Sequence, residues 1–212
     1  MSGVIDQGSW GICGFVSVLN ALHEQGKLKE FGKDLPLTDI QQRLGAELIT
    51  YLKMTKVERP AIANAILTFT QSFGSPYNTF KSIEDICARI ATEMTKMLPP
   101  DEMYYNQGGF GVALPPDAVQ DYVRFAGLKA RATQTISRNF SRDELVKLRD
   151  CIVACGRDPK KDMYNGLRHW IYVNPQGCLV NWGTSTDLTT NPLPQELKDA
   201  NFGYIPFVVQ LL

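Results

Sequence analysis

Apolar residues recur every third or fourth position from Gly14 to about Gly26, where Phe15, Val18, Leu19 and Leu22 define one face of a helix that ends at a glycine. The same spacing predicts helices over about 38–53, opening at Thr38, and over about 59–73 with Pro60 early. A further helix is predicted over about 82–97, opening at Ser82, with Ile83, Ile86, Ile90, Met94 and Met97 on one stripe. A loop, PPDEMYYNQGGFGVALPP, interrupts the pattern before a helix that starts near Pro116 and carries Val119, Tyr122, Val123 and Phe125. Its length points to a role beyond connection. Beyond about residue 129 the pattern changes: the capping box Ser141-x-x-Glu144 opens a short helix, and β-prone runs follow at 151–155, 168–173, 178–182 and 204–211. Helices first and strands later predict an α+β protein, with a helical N-terminal lobe over 1–128 and an antiparallel β-rich lobe over 129–212. The two lobes are expected to form one domain with a cleft between them.

Composition narrows the function. With 44% apolar residues in 212, the chain can bury a substantial core without cross-links. Twenty-two basic residues balance 22 acidic ones and form no dense block, which argues against nucleic acid as a partner. No run of about 18 apolar residues exists to cross a bilayer, and the start lacks the basic segment and apolar stretch of a signal peptide. A soluble chain without a membrane partner is expected. Five scattered cysteines, Cys13, Cys87, Cys151, Cys155 and Cys178, are an odd number and make a poor disulfide framework. Cys151 and Cys155 stand in an apolar run, CIVACG, with no second pair, and the chain has only two histidines, so no metal site is expected.

The chemistry centres on Asp6-Gln7-Gly8-Ser9-Trp10-Gly11-Ile12-Cys13-Gly14-Phe15, where glycines at 8, 11 and 14 frame a cysteine that opens a helix. A helix N-terminus presents unpaired amides and the positive end of the dipole, which favour thiolate over thiol and can bind an oxyanion. Small neighbours let a substrate carbonyl approach. The competing account is a buried structural cysteine on a glycine-rich turn, the commoner fate of an isolated cysteine.

This segment resembles the active-site stretch of papain-like cysteine peptidases. The resemblance implies that Cys13 is the nucleophile and that Gln7, six residues before it, donates its side-chain amide to the oxyanion hole beside the Cys13 amide. A base must be a histidine. His23 lies ten residues down the same helix, about 15 Å along the axis and roughly 80° round, and cannot reach Cys13. His169 remains, in Leu167-Arg168-His169-Trp170-Ile171-Tyr172-Val173, a predicted strand followed by the turn Asn174-Pro175-Gln176-Gly177 and a returning strand from Cys178. It stands 156 residues after Cys13, slightly beyond the family's range of about 130–150. Val180-Asn181-Trp182-Gly183 resembles the family's asparagine-serine-tryptophan-glycine motif without the serine, which implies Asn181 as the residue that orients the imidazole. A three-residue loop with Gly177 left-handed pairs Asn181 with Ile171 on the His169 face, whereas a two-residue loop puts it on the other face. Asn106-Gln107-Gly108-Gly109-Phe110 resembles the family's substrate loop, implying that Gly108 and Gly109 bind the substrate main chain and that Phe110 lines the adjacent pocket.

Departures from the family bear on the setting. The disulfide that ties the two loops in papain-like enzymes of secretory compartments is absent, because its positions are Trp10 and Asn106. That fits a reducing, cytoplasmic site of action, reached by the chain on its own or by delivery from another cell. The tryptophan that normally follows the nucleophile is Gly14, which predicts a wider cleft there. The matched motifs cover about 35 of 212 residues. The resemblance implies a cysteine protease that cleaves peptide bonds through an acyl-enzyme, with Cys13 and His169 as an ion pair and without cofactor. A bacterial effector toxin held in check by a separate inhibitor or immunity protein is compatible with it, as is a housekeeping peptidase. The alternatives are a deamidase or isopeptidase acting on protein side-chain amides, and a silent papain-like scaffold that only binds a protein partner.

Overall fold

Helix α1 (Cys13–Glu24) is buried continuously from Gly14 to Leu22, not along one face as its spacing predicted. The reason is in the residues between the predicted stripe: Val16, Ser17, Asn20 and Ala21 are small, apolar or neutral, so the helix can be enclosed on every side. The computed structural model describes residues 4–7, 11–27, 37–95, 111–158 and 163–212. Around α1 stand α2 (Leu37–Glu58), α3 (Pro60–Gln71), α4 (Ile83–Thr95) and α5 (Pro116–Phe125). The break between α2 and α3 falls at Arg59, whose backbone (φ −139°, ψ 60°) leaves the helical region that a following proline disfavours. An aromatic knot joins three of the helices: Phe15 of α1 meets Tyr51 of α2 and Tyr122 of α5 at ring distances of 5.7 and 4.9 Å. The Tyr51 hydroxyl donates to Asp121 at 2.9 Å, and Arg59 pairs with the same carboxylate at 3.1 Å, so the buried charge is compensated.

The second half supplies a six-stranded sheet in the order β1-β6-β2-β3-β4-β5, antiparallel throughout. Its strands are β1 (Ala130–Asn139), β2 (Cys151–Gly156), β3 (Leu167–Val173), β4 (Cys178–Asn181), β5 (Thr184–Asp187) and β6 (Tyr204–Leu211). Short helices α6 (Arg142–Leu145) and α7 (Gln195–Asp199) lie between strands, and the expected Ser141 cap accepts from the Glu144 amide at 3.3 Å. Strands β1 and β5 were not expected from the sequence. Both are edge strands, one end of the order each, and β5 is half-exposed, so neither carries the apolar run that marks a central strand.

Alternation along the central strands divides the interior. Ile152, Ala154, Trp170, Tyr172 and Val209 face the helices and share their core, while Val153, Cys155, Ile171, Val173 and Val208 face a second cluster with Leu145, Leu188 and Leu197. Burial on both faces explains why β2 and β3 read as near-continuous apolar runs. The chain is thus a mixed α+β protein in which α1 packs on β3, and this contact positions the candidate site. Among the described residues no helix is long and apolar enough to cross a membrane.

Candidate active site

Cys13 is the first residue of α1, and no side chain caps that end, because Ile12 occupies the cap position. The first-turn amides are therefore available. The backbone amides of Trp170, the residue after His169 on β3, and of Gly14 and Cys13 act on the Cys13 thiol in the direction that favours thiolate. Helix α1 and strand β3 thus meet at the thiol. Gly14 permits a close approach of another kind: a Cβ there would lie 3.0 Å from Leu114 Cβ. The space that a larger residue would take is filled by Leu114, so the cleft is not widened by Gly14 as the sequence suggested. Leu114 is held in turn by its carbonyl, which accepts from the Trp170 indole at 2.9 Å.

Gln7 reaches the same place from the N-terminal segment. Asn20 of α1 clamps that segment, accepting from the Ile5 amide at 2.8 Å and donating to the Ile5 carbonyl at 3.0 Å. On its other side Asp6 packs against Gly183, whose left-handed backbone (φ 71°) and missing side chain leave room for the carboxyl. A Cβ at position 183 would lie 2.7 Å from Asp6. Gly183→Ala is therefore expected to cost about 1–2 kcal/mol through the left-handed backbone. By displacing Asp6 and Gln7 it should also lower turnover by about tenfold to 100-fold. Denaturant unfolding and steady-state assays of the same variant separate the two effects.

The β3–β4 hairpin supplies the other half of the site. Asn174 accepts from the Gly177 amide at 3.0 Å and Gly177 is left-handed (φ 88°), the three-residue arrangement. Pairing runs Tyr172 with Val180 and Val173 with Leu179, which sets Asn181 level with Ile171 and on the His169 side of the sheet. His169 Nε2 donates to Asn181 Oδ1 at 2.7 Å. That bond fixes the tautomer and leaves the Nδ1 lone pair to act as a base. Trp182 covers the pair despite the missing serine: its ring stacks on the imidazole at 4.7 Å, reached through a left-handed backbone at φ 41°. Phe202 lies parallel to the imidazole at 6.0 Å. Gln7, His169 and Asn181 retain only 9%, 7% and 8% of their exposure, so the polar groups work in a largely water-free setting.

These groups line, or directly support, one cavity of about 370 Å³, bordered by Gln7, Gly11, Cys13, Thr70, Phe73, Tyr77, Gly111, Ala113, Arg168, His169 and Trp182. Gly111 is brought in by a parallel bridge to Gly11, with the Val112 amide donating to the Gly11 carbonyl at 2.9 Å. The Ala113 amide donates to Thr70 Oγ1 at 3.0 Å. Gly108, Gly109 and Phe110, and the positions Trp10 and Asn106, lie outside the described residues. Thr70, Phe73, Tyr77 and Arg168 were not singled out in the sequence. Arg168 had a signal, its place next to His169, whereas the others reach the cavity from α3 and the turn after it.

Burial acts on the ionisation of both groups. Burial pushes the Cys13 thiol up to about 11, opposed by the nearby backbone amides of Trp170, Gly14 and Cys13. Burial likewise pushes His169 down to about 4, partly opposed by its bond to Asn181. For each group burial acts towards the uncharged form, against the ion pair that the resemblance implies. Desolvation of two charges outweighs a dipole that acts on one.

None of the five cysteines is joined in a disulfide. Cys151 and Cys155 are four residues apart on β2, about 13 Å in an extended strand, too far to share one ion. Among the described residues no group of three His, Cys, Asp or Glu side chains could hold a metal. Comparison with family models, with curated proteins and with solved structures finds no match to this chain.

Proposed function

We propose that this chain is a papain-like thiol hydrolase, a helical lobe and a β-rich lobe with the active site in the cleft between them, cleaving peptide bonds of protein substrates. The observation that carries the reading is the convergence of Gln7, Cys13 and His169, from three separate segments, on one cavity, with Asn181 hydrogen-bonded behind the histidine.

In this mechanism a substrate carbonyl enters beside Cys13. As the sulfur attacks the carbonyl carbon, its proton passes to His169 Nδ1, and the carbonyl oxygen gains the negative charge. The Gln7 side-chain amide and the Cys13 backbone amide donate to that oxygen. Collapse of the tetrahedral intermediate breaks the carbon–nitrogen bond, and the imidazolium returns the proton to the leaving amine. Water, deprotonated by the same histidine, then hydrolyses the thioester. Asn181 holds the imidazole while its charge changes, and Trp182 keeps water from that bond.

The upward push on the Cys13 thiol has an optical consequence. Thiolate absorbance in the ultraviolet, taken as wild type minus Cys13→Ala, should stay absent through neutral pH and rise only as pH approaches about 11. Burial pushes His169 down to about 4, which leaves its Nδ1 lone pair unprotonated above that pH. A thiolate signal that persists down to acidic pH would restore the ion pair.

The activity itself is tested by adding the protein to a reduced cell lysate and searching for new protein N-termini. New termini that vanish with Cys13→Ala are expected. Deamidated or released side-chain amides in their place would move the activity to the isopeptidase class, and no Cys13-dependent product of either kind would leave a binding scaffold.

A further inference from the structure

Asn20 stands inside the nucleophile helix, a position its side chain disfavours, and it keeps only 6% of its exposure. A buried side-chain amide needs both a donor and an acceptor, and Asn20 finds them on one residue outside α1. Oδ1 accepts from the Ile5 amide at 2.8 Å, and Nδ2 donates to the Ile5 carbonyl at 3.0 Å. The side chain thus pairs with Ile5 as a neighbouring strand would, and Ile5 is itself packed in the core. Asn20 follows Cys13 by about two helical turns, so anchor and nucleophile lie along one face of α1, about 10 Å apart on the axis. Gln7 is two residues beyond Ile5, about 7 Å of chain at most. Asp6, between them, packs against Gly183, next to the Trp182 that stacks on His169. Gln7 is therefore tied to both halves of the site, through Ile5 to the helix of Cys13 and through Asp6 to the hairpin of His169.

We infer that Asn20 is a positioning residue that holds the Gln7 side chain in register with the sulfur of Cys13. The inference rests on the thiol-hydrolase reading and adds to it a residue that touches neither substrate nor the reacting atoms. An oxyanion forms as the sulfur attacks, and a donor serves it only from about 2.7–3.1 Å away. Cys13 sets where that oxygen will lie, because the carbonyl carbon bonds to its sulfur. A donor carried on a separate segment must then be tied to the helix that carries the sulfur, and the two Asn20 bonds are such a tie. Without them the Ile5 amide and carbonyl lose their partners, and the segment from Val4 to Gln7 can shift along α1.

A double-variant cycle on one peptide substrate tests this, with kcat and KM measured for wild type, Asn20→Ala, Gln7→Ala and the two combined. Asn20→Ala should lower kcat by about 10- to 100-fold, the cost of a misplaced group, and move KM by less than about twofold. In the Gln7→Ala background the same change should lower kcat by no more than about twofold, because the group it positions is gone. Alkylation of Cys13 by iodoacetamide should keep its wild-type rate in Asn20→Ala, since the sulfur stays in place. Asn20→Ser, whose hydroxyl can keep one of the two bonds, should fall between wild type and Asn20→Ala, and it takes the place of Asn20→Ala in the cycle if that variant does not fold. An unchanged kcat in the Asn20 variants, or losses that multiply in the double variant, would overturn the inference while leaving the hydrolase intact. Slowed alkylation would overturn it too, by showing that the sulfur itself has moved. Wild-type kcat in Gln7→Ala, with cleavage still dependent on Cys13, would end the roles of Gln7 and Asn20 alone. Absence of any Cys13-dependent cleavage would remove the hydrolase reading and this inference together.

Discussion

Cys13→Ala and His169→Ala should each lower turnover by about 10⁴-fold or more while the fold is retained, and the double variant should be little worse than either single one. The two side chains perform one step: the sulfur attacks only as its proton leaves, and the proton leaves only if Nδ1 accepts it. Burial of the thiol sharpens this dependence. With the thiol held up to about 11, Cys13 alone supplies almost no nucleophile at neutral pH, so loss of His169 cannot be offset by spontaneous ionisation. Raising the pH should therefore recover part of the activity of His169→Ala, which no structural role for the histidine would produce. Thermal unfolding of both variants checks that the fold remains. Wild-type hydrolysis by Cys13→Ala would end the proposed mechanism.

Gln7→Ala should reduce kcat by about 10²- to 10³-fold with little change in KM, because a donor aimed at the oxyanion acts mainly in the transition state. Its near-complete burial raises the stake, since a donor in a water-poor site competes with little solvent for the developing charge. The segment that carries it is clamped through Ile5 by Asn20, so truncating the Gln7 side chain should leave the backbone path unchanged. Steady-state kinetics on one peptide substrate separates the two constants. An unchanged kcat would reduce Gln7 to a loop residue.

Much of this arrangement was legible along the chain. Helices α1 to α5 follow the three-and-four spacing of apolar residues, and the central strands β2, β3, β4 and β6 follow their apolar runs. The β3–β4 register was open between two loops until the fold chose the one with Gly177 left-handed, which brings Asn181 onto the His169 side. The edge strands β1 and β5 escaped detection because a strand paired on one side needs no continuous apolar run. Gly14 was misread for a related reason: a glycine marks missing volume, but only the fold shows that Leu114 occupies it.

The sequence by itself determined which groups were available: a cysteine opening a glycine-framed helix, a glutamine six residues before it, and one histidine within a hairpin that also holds an asparagine. Those are local facts, set by residue type and by the periods of helix and strand. The tertiary structure alone decided the surroundings that shift Cys13 and His169, the aromatic side of the cavity with Phe73 and Tyr77, and the presence of Arg168 beside it. The physical reason is that desolvation and pocket shape depend on every neighbour in space. Helix α3 and strand β3 lie roughly 100 residues apart in the chain yet contribute to the same cavity, and no local pattern encodes that approach.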